Sequence, residues 1–219
     1  MPEMDKKRVE AGIALYTKFF LSIYDWLALG YCSRFLWECP SQHMLNVYNK
    51  YVSGNHLDIG VGTGYFMDRC RFPSPNPGLA LMDLSQNSLE AASKRLARYN
   101  PQVYLRNALE KFEVNNQTFD SIGMMNLLHC LPGDMSTKRI VFTNAKEVLN
   151  PGGTIFGSTI LYKGVKHNPL ATIALKINNR KGIMTNNEDD IEVLRDNLKE
   201  QFSESGVETI GCVALFWAR

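Results

Sequence analysis

Leu57-Asp58-Ile59-Gly60-Val61-Gly62-Thr63-Gly64-Tyr65 is the segment that governs the architecture. A short apolar strand, His56-Leu57-Asp58-Ile59, runs into three glycines in five positions and then into the start of a helix. Glycines there let the backbone turn tightly and approach a ligand with no Cβ in the way. The next apolar run, Gly78 to Asp83, also ends in an acid, and Asp83 lies 19 residues after Gly64. That is the spacing at which a second-strand acid reaches ribose hydroxyls.

Apolar runs alternate with helix-period segments on the carboxyl-terminal side. Gln86 to Tyr99 repeats at helical spacing through Leu89, Ala92 and Leu96. Val103-Tyr104-Leu105, Phe119 to Asn126 and Thr154 to Leu161 read as strands, and Asp134 to Leu149 as a helix, with Pro151-Gly152-Gly153 as a turn. Alternation of this kind implies crossover connections and a parallel sheet, with ligands at the carboxyl ends of its strands. Tyr162 to Asn187 is longer than an ordinary connection, which favours a functional lid. Asp189 to Phe202 is helical, with Glu188-Asp189-Asp190 as its acidic first turn, and Val207 to Arg219 reads as two short strands or one bent pair about Gly211.

On the amino-terminal side, residues 1–53 read as a helical cap on a core of residues 54–219. Leu15, Phe19, Ile23, Trp26 and Leu27 recur near helical spacing, and a second helix over Gln42 to Val52 has Ser41 as its expected N-cap. Lys18 and Asp25 interrupt the apolar stretch Ala14 to Tyr31, so a membrane span is not expected.

The 219 residues suffice for one domain with a full core, and 45% hydrophobic with 21% charged residues excludes wholesale disorder. Lys plus Arg number 24 against 22 Asp plus Glu, too small an excess for a nucleic-acid or anionic-membrane footprint. The five cysteines have neither the parity of a disulfide framework nor C-x-x-C spacing for zinc, so no metal is expected. Buried thiols in a reducing compartment, and no apolar leader core in Met1 to Glu10, give a cytoplasmic expectation.

The dinucleotide fingerprint G-x-G-x-x-G is not met, because position 65 is Tyr and the third glycine comes one residue early. The phosphate loop G-x-x-x-x-G-K-[ST] is absent. An acid at position 58 is awkward beside a pyrophosphate and suits a cationic ligand such as an ammonium or sulfonium.

These residues resemble class I S-adenosylmethionine-dependent methyltransferases. Asp58-Ile59-Gly60-Val61-Gly62-Thr63-Gly64 is similar to their first motif and Asp83 to their ribose-binding acid. Arg106-Asn107-Ala108 sits where the family places adenine-edge residues, with Asn107 where Asp is frequent. Phe119-Asp120-Ser121-Ile122 with Asn126-Leu127-Leu128-His129 resembles the fourth-strand motif, and Leu149-Asn150-Pro151-Gly152-Gly153 the turn before the fifth strand. The ordered set covers about residues 55 to 160. The tyrosine-rich N-terminal helices and Ala214-Leu215-Phe216 resemble compact natural-product members.

The resemblance implies a Rossmann-like, doubly wound, mostly parallel seven-stranded sheet, with cap helices and a lid insertion after the fifth strand. It implies methyl transfer from S-adenosylmethionine to a small organic acceptor, with no nucleic-acid or membrane partner. Asp58, Gly60, Gly62, Gly64, Asp83, Leu84, Asn107, Ala108, Asn126 and Leu127 are then the expected cofactor-binding residues, and Tyr16 and Tyr24 the expected lid. His129, an imidazole at the rim, is the candidate general base, weighed evenly against a structural role. The competing classes are a nicotinamide-dependent oxidoreductase, disfavoured by Tyr65 and Asp58, and a cofactor-binding module without methyl transfer, such as a pericyclic catalyst.

Overall fold

The computed structural model describes residues 17–219. Seven strands form one sheet: β1 (Asn55–Ile59), β2 (Gly78–Asp83), β3 (Gln102–Leu105), β4 (Phe119–Met125), β5 (Leu149–Ile160), β6 (Ser205–Ile210) and β7 (Val213–Ala218). Their order is β3-β2-β1-β4-β5-β7-β6. Neighbours from β3 to β5 are parallel, and β7 is antiparallel to both β5 and β6. This is the expected doubly wound α/β fold.

The central strands are buried almost throughout, as strands covered on both faces must be. Leu79 to Met82 of β2 and Ser121 to Met125 of β4 are buried. One face packs on α5 (Met135–Glu147) and α7 (Ile191–Gln201) through Val141, Phe142, Leu194 and Leu198. The other packs on α2 (Ser41–Tyr51), α4 (Gln86–Arg95) and α6 (Pro169–Arg180) through Met44, Tyr48, Leu89 and Leu175. Helix starts are fixed by side-chain caps. Ser85, Asp134 and Asn168 accept from the backbone N–H of Ser88, Thr137 and Ala171. Ser41 is instead the first residue of α2, and Pro40 occupies the cap with no side-chain bond.

The N-terminal segment departs from a simple amphipathic helix. α1 (Lys18–Tyr24) runs directly into a π-helix, Asp25–Leu36. Leu21, Leu29 and Ser33 turn inward, while Phe19 and Trp26 are 77% and 74% exposed. The wider i→i+5 turn shifts the angular register, so a stripe counted at 3.6 residues does not become the buried face. Leu15 and Tyr16 lie outside the described residues. Pro151-Gly152-Gly153 lies inside β5, where the pairing with β4 shifts register between Phe119 and Ser121.

The connection after β5 is built around a buried ion pair. Asp189, expected in the acidic first turn of a helix, is wholly buried and takes both carboxylate oxygens to Lys138 Nζ on α5, at 2.8 and 2.7 Å. Lys138 also donates to the Thr185 carbonyl at 2.9 Å. Asp190 serves as the cap of α7 instead.

Candidate active site

The glycine turn joins β1 to α3 (Tyr65–Arg69) where the sheet order reverses, between β1 and β4. Gly60, Gly62 and Gly64 all have positive φ, at 73°, 52° and 74°. Their surroundings differ. A Cβ on Gly62 would meet nothing within 4 Å, so its α-carbon faces open cleft. A Cβ on Gly60 would come within 2.8 Å of Leu127 Cδ1, so this glycine brings the turn against the loop after β4. A Cβ on Gly64 would lie 3.3 Å from Ala92 and 3.2 Å from Leu96. Gly64 lines neither cavity described below, and its close neighbours are at the carboxyl end of α4. It lets α3 approach the end of α4.

Two adjoining cavities flank the turn and share Tyr24, Gly60, Gly62, Met125 and Asn126. The smaller is closed by Asp58, Tyr48 and Phe66. The larger runs past Asp83, Leu84, Asn107 and Ala108 on one side and Leu127, Cys130, Leu131, Pro132 and Ile183 on the other. Cys130, Leu131, Pro132 and Ile183 were not anticipated. The first three follow β4 at the carboxyl edge of the sheet, a position that in hindsight signals a ligand wall. Ile183 reaches the site from the insertion after β5 and carries no such signal.

Asp58 is 3% exposed, and its Oδ2 has no hydrogen-bond partner. His56 Nε2 is 3.5 Å away, but burial holds that imidazole neutral, its pKa lowered to about 3. His56 Nδ1 pairs with Ser121 Oγ at 2.8 Å. Burial raises the Asp58 carboxyl well above the ordinary value, and the neighbouring Asp83 raises it further. Asp83 is itself pushed up to about 6 by burial, against backbone N–H groups from Ser85, Gly62, Leu84 and Val61 that favour its charged form. Its Oδ1 accepts from Ser85 N–H at 2.8 Å.

Asn107 is buried, with Oδ1 accepting from Leu109 N–H at 3.0 Å and Nδ2 donating to Glu110 at 3.4 Å. Its amide shapes the turn after β3 as well as lining the cleft. Asn126 has φ of 55°, rare for a residue with a side chain. Ser158 holds it there, accepting from its N–H and donating to its Oδ1, each at 3.0 Å. Tyr24 lines both cavities, while Tyr16 lies outside the described residues.

His129 is not at the rim. It sits on a short 3₁₀ turn, Leu128–Cys130, is 4% exposed and lines neither cavity. Its Nδ1 accepts from Ile160 N–H at 3.2 Å, and burial with the nearby Lys138 charge lowers its pKa to about 3. A ring committed to a backbone amide and held neutral ties the β4 loop to β5, which favours the structural role of His129 over that of a general base.

The chemistry of the cleft is set by two carboxyls, the half-buried Asp83 and the buried Asp58, whose ionisation Asp83 disfavours and whose Oδ2 is left without a donor. Such a pair is completed by a cation carrying N–H and O–H donors. The α-ammonium and ribose of S-adenosylmethionine supply those groups. The apolar Leu84 and Ala108 walls suit a flat base, and the open face of Gly62 leaves room for the chain between. The residues present therefore fit that cofactor.

Comparison with known proteins agrees. Residues 57–155 match the methyltransferase-domain family. The chain is 36% identical to demethylluteothin O-methyltransferase of Streptomyces thioluteus over 212 residues, 97% of this chain and 92% of the other. It is 38% identical to a physcion biosynthesis cluster O-methyltransferase of Aspergillus chevalieri over 211 residues, 95% of each. In fold it is similar to DhpI in complex with S-adenosylhomocysteine (TM-score 0.67, 12% identity, 96% of each chain). It is also similar to the N-methyltransferase NodS of Bradyrhizobium japonicum (TM-score 0.58, 18% identity, 81% of this chain and 84% of the other).

Proposed function

The chain belongs to the class I S-adenosylmethionine-dependent methyltransferases, and on that basis we propose that it methylates an oxygen of a small, largely apolar biosynthetic acceptor. The observation that carries this reading is the pair of carboxyls on either side of the glycine turn, Asp58 buried and Asp83 half-buried, both with raised pKa. A pyrophosphate would be repelled there, which disfavours a nicotinamide dinucleotide. Relatives whose names are O-methyltransferases support oxygen as the acceptor atom.

When bound, the cofactor supplies a methyl group already activated on a sulfonium. Asp58 holds the ammonium, Asp83 accepts from the ribose hydroxyls, and Leu84, Asn107 and Ala108 border the adenine. Gly60 and Gly62 admit the methionine part, and Asn126 and Leu127 close it from the β4 side. Tyr24 and the apolar wall of Leu131, Pro132 and Ile183 align the acceptor and exclude water. Alignment of reactants alone lowers a barrier by about 7–11 kcal/mol in favourable cases.

Among the described residues lining the two cavities there is no imidazole. An acceptor oxygen that is itself acidic, as in a phenol or enol, suits such a site. The absence of a disulfide among the five cysteines supports the cytoplasmic expectation, and no described helix is long and apolar enough to cross a membrane.

Calorimetry with S-adenosylhomocysteine tests the cofactor, and transfer of a labelled methyl from S-adenosylmethionine into a panel of phenols and enols tests the reaction. Binding and labelling of the more acidic oxygens are expected. Binding without labelling of any acceptor would favour the non-transferring alternative, and no binding would overturn the whole reading.

A further inference from the structure

We propose that Asp25, Thr63 and Arg95 form a positioning clasp that joins the N-terminal cap to the glycine turn and sets Tyr24 over the junction of the two cavities. The clasp rests on the assignment of that turn to the cofactor.

The three residues come from three elements. Thr63 is in the turn, between the two glycines Gly62 and Gly64, and is 4% exposed. Its hydroxyl donates to Asp25 Oδ1 at 2.5 Å and accepts from Arg95 Nη1 at 3.1 Å. Arg95, the last residue of α4, closes the triangle with Nη2 2.8 Å from Asp25 Oδ2. The side chains of Arg95 and Asp25 are only 30% and 23% exposed, so water screens this pair less than an ordinary surface pair.

Position turns this contact into a functional one. Asp25 is the first residue of the π-helix, and Tyr24 before it lines both cavities. A π-helical segment frequently marks a functional site. On the other side, Thr63 adjoins Gly62, whose α-carbon faces the cleft. A ligand that fixes the turn at Gly62 thereby fixes Thr63, then Asp25, then Tyr24. Coupling is reciprocal, so a seated cap strengthens ligand binding at the turn by the same factor. A threonine serving only the turn has no need of a carboxylate from another element.

The test is hydrogen–deuterium exchange and calorimetry with S-adenosylhomocysteine on the full chain and on Asp25→Asn, Thr63→Val, Arg95→Gln and Asp25→Asn/Arg95→Gln. In the wild type, ligand is expected to slow exchange over residues 57–65 and also over residues 20–36. In each single variant the first protection is retained and the second is lost, and Kd rises about fivefold or more. The double variant is no weaker than the worse single one, because the three groups act as one network. Arg95→Lys, which keeps the charge, recovers part of the cap protection. Equal cap protection in wild type and variants, or losses that add independently, overturns the clasp. If the wild type binds no ligand, the cofactor reading falls instead. The clasp is then judged on ligand-free exchange, where Asp25→Asn must speed residues 20–36 and 57–65 together and unchanged rates refute it.

Discussion

Asp58 is a buried acid with one oxygen lacking a donor, and that carries a cost. Its pKa is raised on folding, so the folded state holds the proton more tightly than the unfolded chain does. Stability from this group is therefore present at low pH and lost as pH rises above the ordinary carboxylate range. Asp58→Asn keeps the shape and removes the ionisation. The ligand-free variant should melt no lower than wild type at pH 7.5, while S-adenosylhomocysteine binding weakens by the loss of a charged hydrogen bond, roughly 1.5–3 kcal/mol. A scanning melt and a titration of the same samples measure both. An ammonium beside Asp58 also favours its ionised form, so binding should release a proton, read as a dependence of the calorimetric heat on buffer ionisation enthalpy. Unchanged affinity in Asp58→Asn would remove this residue from the site.

The sequence marks Asp58 as a candidate, because an acid two residues before the first glycine of such a turn is an unusual local pattern. It did not carry the fate of His129, which depends on whether the chain after β4 turns the ring toward the cleft or toward Ile160 N–H. Removing that ring orphans a buried amide, so His129→Ala should cost about 1–3 kcal/mol of stability, seen in urea melts. The pH–rate profile of methyl transfer should keep its shape, since the ring takes no part in the proton's removal.

Elements separate glycines that look alike in a motif. Gly62 and Gly64 both have positive φ, yet one faces the cleft and the other faces α4. Gly62→Val meets no neighbour, so beyond the strain of a side chain at positive φ it should leave a folded chain, and it should abolish binding of S-adenosylhomocysteine. Gly64→Val must push against Ala92 and Leu96, so it should lower the melting temperature and leave Kd nearly unchanged in whatever fraction folds. The distinction is invisible in the sequence because it depends on how closely two helices separated by β2 approach. The strand–helix alternation was legible because it repeats locally. The π-helix and the register shift where β5 pairs with β4 were not, since neither follows from a regular local period.

The insertion after β5 shows the same limit. Glu188-Asp189-Asp190 reads as one acidic first turn, but Asp189 is buried against Lys138 and Asp190 caps α7. Burial outweighs attraction in this pair, lowering the Lys138 pKa and pushing Asp189 up to about 6. Lys138→Met strands Asp189 without its cation, a loss of about 3–5 kcal/mol. The loss should be smaller at pH 6 than at pH 8, because a protonated Asp189 needs no partner. Lys138→Met/Asp189→Leu should recover much of it. Urea unfolding at the two pH values decides the matter, and an equal loss at both would contradict the charge argument.

Across the whole molecule the buried titratable groups act in opposition. Asp83 and Asp189 titrate at about 6, and Asp58 is also raised, so between pH 4 and 6 the folded chain binds more protons at these sites than the unfolded chain. That makes stability fall as pH rises, by about 1.4 kcal/mol per unit for each fully displaced proton. His56 and His129 are lowered to about 3, so over the same interval the folded chain binds fewer protons at them. Their contribution makes stability rise with pH. The two sets nearly cancel, and the ligand-free protein should show a shallow pH dependence of stability from pH 4 to 6. Saturation with S-adenosylhomocysteine ionises Asp58 and takes one term from the falling set, so the complex should gain stability as pH rises through that window. Melting curves at half-unit steps, with and without ligand, should therefore diverge upward in pH. Parallel curves would mean that the bound ammonium does not face Asp58, and the orientation of the cofactor in the cleft would have to be reversed.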